Sequence, residues 1–106
     1  MPETILRKGQ IRAQIIHRIP ASRRMRRGRP YIGIARVLAH DGLEEEMALV
    51  YYEVDELGVV DERTVRLIRF SRPEALSVAS LLENAARELR KWALESGQTT
   101  LAEVRA

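Results

Sequence analysis

Residues 63–78 read RTVRLIRFSRPEALSV, and the hydrophobic period changes inside them. Up to Phe70 the run is short and rich in Val, Leu, Ile and Phe, which favours a strand. Its arginines recur every third residue, at 63, 66, 69 and 72, a spacing that a helix could also use. From Ser71 onward the signals are helical. Ser71-Arg72-Pro73-Glu74 has the form of a capping box, with Ser71 as N-cap and Glu74 at the third helical position. A proline in the first turn loses no hydrogen bond there. Ala75, Val78, Leu82, Ala85, Leu89 and Trp92 then form one apolar stripe, widened by Leu76, Ala79, Leu81, Ala86 and Ala93. Gly97 supplies a left-handed stop. The pattern predicts a helix over 72–96, roughly 35 Å long at ~1.5 Å per residue.

Upstream, the pattern is that of strands. IRAQIIHRI (11–19) alternates, placing Ile11, Ala13, Ile15, His17 and Ile19 on one face and Arg12, Gln14, Ile16 and Arg18 on the other. YIGIARVLAH (31–40) and MALVYYEV (47–54) read as two more strands. Asp41-Gly42 and DELG (55–58) are turn signals. The expected order is β-β-β-β-α: an α+β fold with a four-stranded antiparallel sheet backed by one long C-terminal amphipathic helix. The sheet should span 5–70, the helix 72–96, and a tail 97–106 with a helical turn near Leu101 and Val104. Its 106 residues suit a single domain.

The charge is unevenly placed. Residues 1–40 hold ten Arg or Lys against one acid, Glu3, whereas residues 41–106 hold eight basic and fourteen acidic residues. Such polarisation builds a local field that draws a polyanion to the N-terminal half. The peak is Arg18–Pro30, RIPASRRMRRGRP. Arginine outnumbers lysine sixteen to two, and arginine forks phosphates and stacks on bases. One asparagine, Asn84, and no cysteine are compatible with a thermophilic source. Without cysteine there is neither a disulfide framework nor a thiolate metal site. No apolar run approaches the ~20 residues of a membrane span, and the N-terminus lacks a signal-peptide core. These features describe a soluble, cytoplasmic protein.

No catalytic constellation stands out. The serines lack a nucleophile turn, no glycine-rich phosphate loop is present, and Glu44–Glu46 reads as a solvated turn. His17, in phase with isoleucines, reads as a buried, hydrogen-bonded histidine. No metal, cofactor or enzymatic activity is expected. The binding signal is stronger. Arg12 and Arg18 lie on the polar strand face, Arg23, Arg24, Arg26, Arg27 and Arg29 extend from its end, and Arg36 follows. Tyr31 and Tyr51 offer aromatic faces; adjacent strand residues face opposite sides, so one of Tyr51 and Tyr52 turns inward, the pattern leaves open which, and Glu53 favours the Tyr51 side as the open one. Cations tracking a backbone, with aromatics for bases, are the parts of a single-strand binding surface. Leu82, Leu89 and Trp92 on the helix stripe are candidates for a contact between subunits.

This strand-helix order, the arginine-rich segment between the first two strands and the C-terminal amphipathic helix resemble the ThermoDBP-related single-stranded DNA-binding proteins of archaea, over roughly 5–96. The order is also similar to the positive-cofactor and Whirly-type fold, whose Lys- and Ser-rich leader is absent here. The resemblance implies a homo-oligomer that holds single-stranded DNA in a basic cleft of the sheet, with little sequence preference. On this chain the cleft would use Arg12, Arg18, the Arg23–Arg29 cluster, Tyr31, Arg36 and Tyr51. Two other readings share the sequence features: an RNA-binding or transcription-associated module, and a protein-interaction or dimerisation module built on the helix.

Overall fold

A computed structural model describes residues 4–21, 28–38 and 45–97. The expected turn at 41–42, the tail around Leu101 and Val104, and Arg23, Arg24, Arg26 and Arg27 lie outside these described residues. The elements are β1 (Ile5–Lys8), β2 (Ile11–Pro20), β3 (Arg29–Val37), β4 (Glu46–Val54), β5 (Val60–Ser71), a 3₁₀ turn (Arg72–Glu74) and α1 (Ala75–Gly97). By contacts the chain divides into two compact units, Met1–Arg72 and Pro73–Ala106.

The sheet has five strands, not the expected four. All pair antiparallel in chain order, β1-β2-β3-β4-β5. The extra strand is ILRK, only four residues long, turned into β2 by Gly9-Gln10 so that Lys8 faces Ile11 and Leu6 faces Ala13. Four residues with one buried side chain are too few to show an alternation, so the strand was not legible from its pattern. The consequence is geometric. The five-stranded sheet curls until β1 lies alongside β5, making it nearly a barrel.

Curling gives the sheet an inside. Leu6, Ala13, Ala35, Val37, Ala48, Val50, Tyr52 and Val65 form the core, and every one of them is a sheet residue. A barrel of few strands has a narrow interior. Ala35 and Ala48 face each other across β3 and β4, and both are fully buried, as is Ala13. Small side chains at these positions let the curled sheet close.

The turn after β4 matches its sequence signal. Asp55 Oδ1 accepts from the N–H groups of Leu57 at 2.8 Å and Val59 at 2.9 Å, the side-chain turn that Asp favours. The helix start differs slightly from expectation. Residues 72–74 are wound as a 3₁₀ turn and the α-helix proper opens at Ala75. Such tightened first turns are frequent at helix N-termini.

If the interior is as narrow as this packing implies, Ala48→Leu will overfill it. It should lower stability by about 1–3 kcal/mol, read as a lower denaturant midpoint at unchanged slope. An unaltered midpoint would show unused space inside the sheet.

Candidate nucleic-acid interface

The decisive local feature is a β-bulge in β2. Ile15 pairs with Ala35 and His17 with Ile34, so Ile16 is an extra residue opposite no partner. A bulge of this kind exchanges the faces of all residues beyond it. The regular alternation expected for 11–19 therefore holds only as far as Ile15. Beyond the bulge, Arg18 pairs with Gly33 and Pro20 with Tyr31, on the face that carries Ala13 and Ala35. His17 and Ile19 turn outward. His17 is exposed, contrary to the expectation of a buried histidine.

Glycine at position 33 makes the bulge possible. A Cβ there would stand 2.2 Å from the carbonyl oxygen of His17. Only a residue without a side chain lets β3 pass this close to the displaced backbone of β2. Gly28, where β3 is about to begin, has φ of 66°, and a Cβ there would lie 1.8 Å from the carbonyl oxygen of Val54. It seats the root of the arginine-rich segment against the end of β4.

With Arg18 turned inward, a small polar-aromatic cluster forms. The Arg18 guanidinium carbon lies 4.3 Å from the Tyr31 ring centroid, a cation–π distance. Its Nη1 donates to the Tyr52 hydroxyl at 2.7 Å. The Tyr31 and Tyr52 rings stack at 5.5 Å with an interplanar angle of 25°. Tyr52 is 0 % exposed, and a buried phenol hydroxyl needs such a partner. The Tyr52 hydrogen bond, favouring the charged form, pushes the Arg18 pKa above its ordinary value. Arg18 itself stays exposed.

The remaining candidates divide between the two faces. Arg12 faces Arg7 across β1 and β2, and Arg36 faces Gln14 and Met47. Both are exposed on the outer face. Tyr51 is on that face too, beside Ile32 and Arg66, and half-buried. Arg29, opposite Val54, has the register of the inner face at the strand end and is exposed. The single basic stripe expected from Arg12 through Arg18 to Arg36 is thus split by the bulge. Tyr51 points outward and Tyr52 inward, as the Glu53 argument expects. The Tyr51 hydroxyl donates to Glu53 Oε2 at 2.7 Å. Sequence reasoning missed Gly33 and Tyr52 as positioning residues. The signals were a glycine in mid-strand and the adjacent Ile15-Ile16 pair.

Charge pairing also separates the strands. Among the described residues, ion pairs join Arg63 to Asp61 at 3.2 Å, Arg69 to Glu46 at 3.5 Å, and Arg72 to Glu45. All three arginines are in β5 or just after it. None of the pairs involves Arg12, Arg18, Arg29 or Arg36. Among the described residues no cluster of His, Cys, Asp and Glu could hold a metal ion, and no helix is long and apolar enough to cross a membrane.

On α1, Leu82, Leu89 and Trp92 are 40 %, 62 % and 69 % exposed. Val78 and Ala85 in the same stripe are half-buried. No protein-family model matches this chain, and no curated protein or solved structure matches it either.

Two outcomes follow from this geometry. Gly33→Ala should cost about 1–3 kcal/mol through overpacking and shift the NMR signals of His17 and Arg18 together; a silent substitution would refute the close approach. Tyr51 should titrate above the ordinary phenol range, its hydrogen bond to Glu53 being the main cause and burial the next. The raised value favours the neutral phenol in the folded state. Its stabilisation is therefore complete below the unfolded pKa, near 10, and lost as pH rises through the folded value. In Glu53→Gln an NMR titration should find the Tyr51 value lowered; no change would mean that another group sets it.

Proposed function

We propose that this protein binds single-stranded nucleic acid, single-stranded DNA foremost, with little sequence specificity, and protects exposed strands as a homo-oligomer. The observation that carries this reading is the set of exposed arginines on β2 and β3, Arg12, Arg18, Arg29 and Arg36, with no carboxylate partner among the described residues. By contrast, Arg63, Arg69 and Arg72 have acids at hand on this same chain. Those on β2 and β3 flank a segment that adds Arg23, Arg24, Arg26 and Arg27. Unpaired guanidinium groups gathered in one half of a chain take up phosphates and release the condensed counterions. A binding role rather than a catalytic one fits such a surface. The resemblance to ThermoDBP-related proteins supports the same reading through its element order, from which the fifth strand departs.

The exposed stripe of α1 favours a second role beside the first. Leu82, Leu89 and Trp92 are large apolar groups at helical spacing, suited to a contact between subunits or with another protein.

A salt-titrated binding series over single-stranded DNA, single-stranded RNA and duplex tests the proposal. Each phosphate contact contributes about −0.7 to the slope of log K against log salt on single strands. Arg12→Ala and Arg36→Ala should each flatten the slope by about that amount if these side chains meet phosphates. Weak, salt-insensitive association with every strand would overturn the reading. Preference for structured RNA would favour the RNA-binding alternative. Solution mass of a Leu82→Ala/Leu89→Ala/Trp92→Ala variant tests the helix: an unchanged oligomer would clear it of that role.

A further inference from the structure

None of the three tyrosines offers an unencumbered ring to a base. Tyr52 has no exposed surface. Tyr51 donates its hydroxyl to Glu53, whose carboxylate repels the phosphates of an approaching strand. Tyr31 is half-buried, stacked on Tyr52 and overlain by Arg18. The flat, solvent-facing group of this cluster is instead the Arg18 guanidinium. Its carbon lies over the Tyr31 ring, 4.3 Å from the centroid, and the residue is still exposed.

We propose that Arg18 takes an unpaired nucleobase against the guanidinium face turned away from Tyr31, so that base, guanidinium and tyrosine form one stack. The proposal rests on the nucleic-acid reading above and assigns the base-contacting group within it. Two contacts hold the group in advance: the Tyr31 ring 4.3 Å from its carbon and the 2.7 Å hydrogen bond from Nη1 to Tyr52. A guanidinium already held in place loses little rotamer freedom when a ligand arrives, so less of the interaction is spent on ordering it. Its charge is secured by the same Tyr52 hydroxyl. Stacking on a guanidinium is indifferent to base identity, because every base has a π-face. It is not indifferent to pairing: in a duplex that face is covered by neighbouring bases. Arg18 therefore accounts for a preference for single strands that phosphate contacts alone would not supply.

The test compares an oligothymidylate with an abasic strand of equal length and charge. Wild-type protein should bind the oligothymidylate about tenfold more tightly, the scale of one stacked base. Arg18→Lys keeps the charge and loses the plane. It should erase that preference while leaving the salt slope unchanged. A second measurement needs no variant: the Arg18 Nε–H proton should move upfield when oligothymidylate is added and stay put with the abasic strand. Equal wild-type affinity for the two strands, or a preference that survives in Arg18→Lys, would overturn the assignment to Arg18 alone. Failure to bind either strand would overturn the nucleic-acid reading and this proposal with it.

Discussion

The approach of β3 to the displaced backbone of β2, closed to within reach of a single missing Cβ at Gly33, sets most of what is distinctive here. The extra residue Ile16 has to be accommodated somewhere. Because position 33 is empty, the strands stay paired through the bulge and the far end of β2 exchanges its faces. That exchange puts a cation, Arg18, on the side of the sheet where Tyr52 is buried. The arrangement serves both groups. The phenol hydroxyl gains a donor it could not obtain from water, and the guanidinium gains a fixed seat on Tyr31 without entering the interior. A fold-level irregularity and a candidate binding group are therefore one feature.

The two faces of the curled sheet divide the chemistry. Inside, alanines, a few aliphatic side chains and Tyr52 make up the core; the arginines lie at the rim and on the outer surface. They are of two kinds. Arg63, Arg69 and Arg72, in β5 or just after it, meet Asp61, Glu46 and Glu45, whereas Arg66 of β5 donates to backbone carbonyls. Exposed ion pairs of that sort are worth about 0–1 kcal/mol and are screened by salt. Among the described residues, Arg12, Arg18, Arg29 and Arg36 of β2 and β3 have no such ion pair.

Much of this was written in the sequence. The strand-to-helix change at Ser71 and the Asp55 turn follow from local rules, and Glu53 favours the outward place of Tyr51. Each depends on residues within a turn or two of one another. What escaped was of another kind. A four-residue strand carries too few positions to declare a period, so β1 was invisible until its pairing partner was in place. The bulge is a relation between Ile16 on one strand and Gly33 on another, and a single-strand alternation cannot express it. The site inherits this limit. Arg12 was correctly read as lying on the polar strand face, but Arg18 was assigned to the same face because the reading carried the alternation straight through residue 16.

The seam between β1 and β5 sets an order of assembly. Each successive hairpin, from β1-β2 to β4-β5, joins segments adjacent in the chain and closes a short loop. The seam alone joins the beginning of the sheet unit to its end, and the entropy of closing so long a loop is met only when the last strand exists. A growing chain therefore holds β1 in its hairpin with its outer edge uncovered until β5 is made and comes alongside, and an uncovered edge is open to strands from other molecules. The basic residues of that first hairpin, Arg7, Lys8 and Arg12, are well placed to keep two such edges apart. Like charges on that first hairpin thus oppose self-association of the incomplete chain.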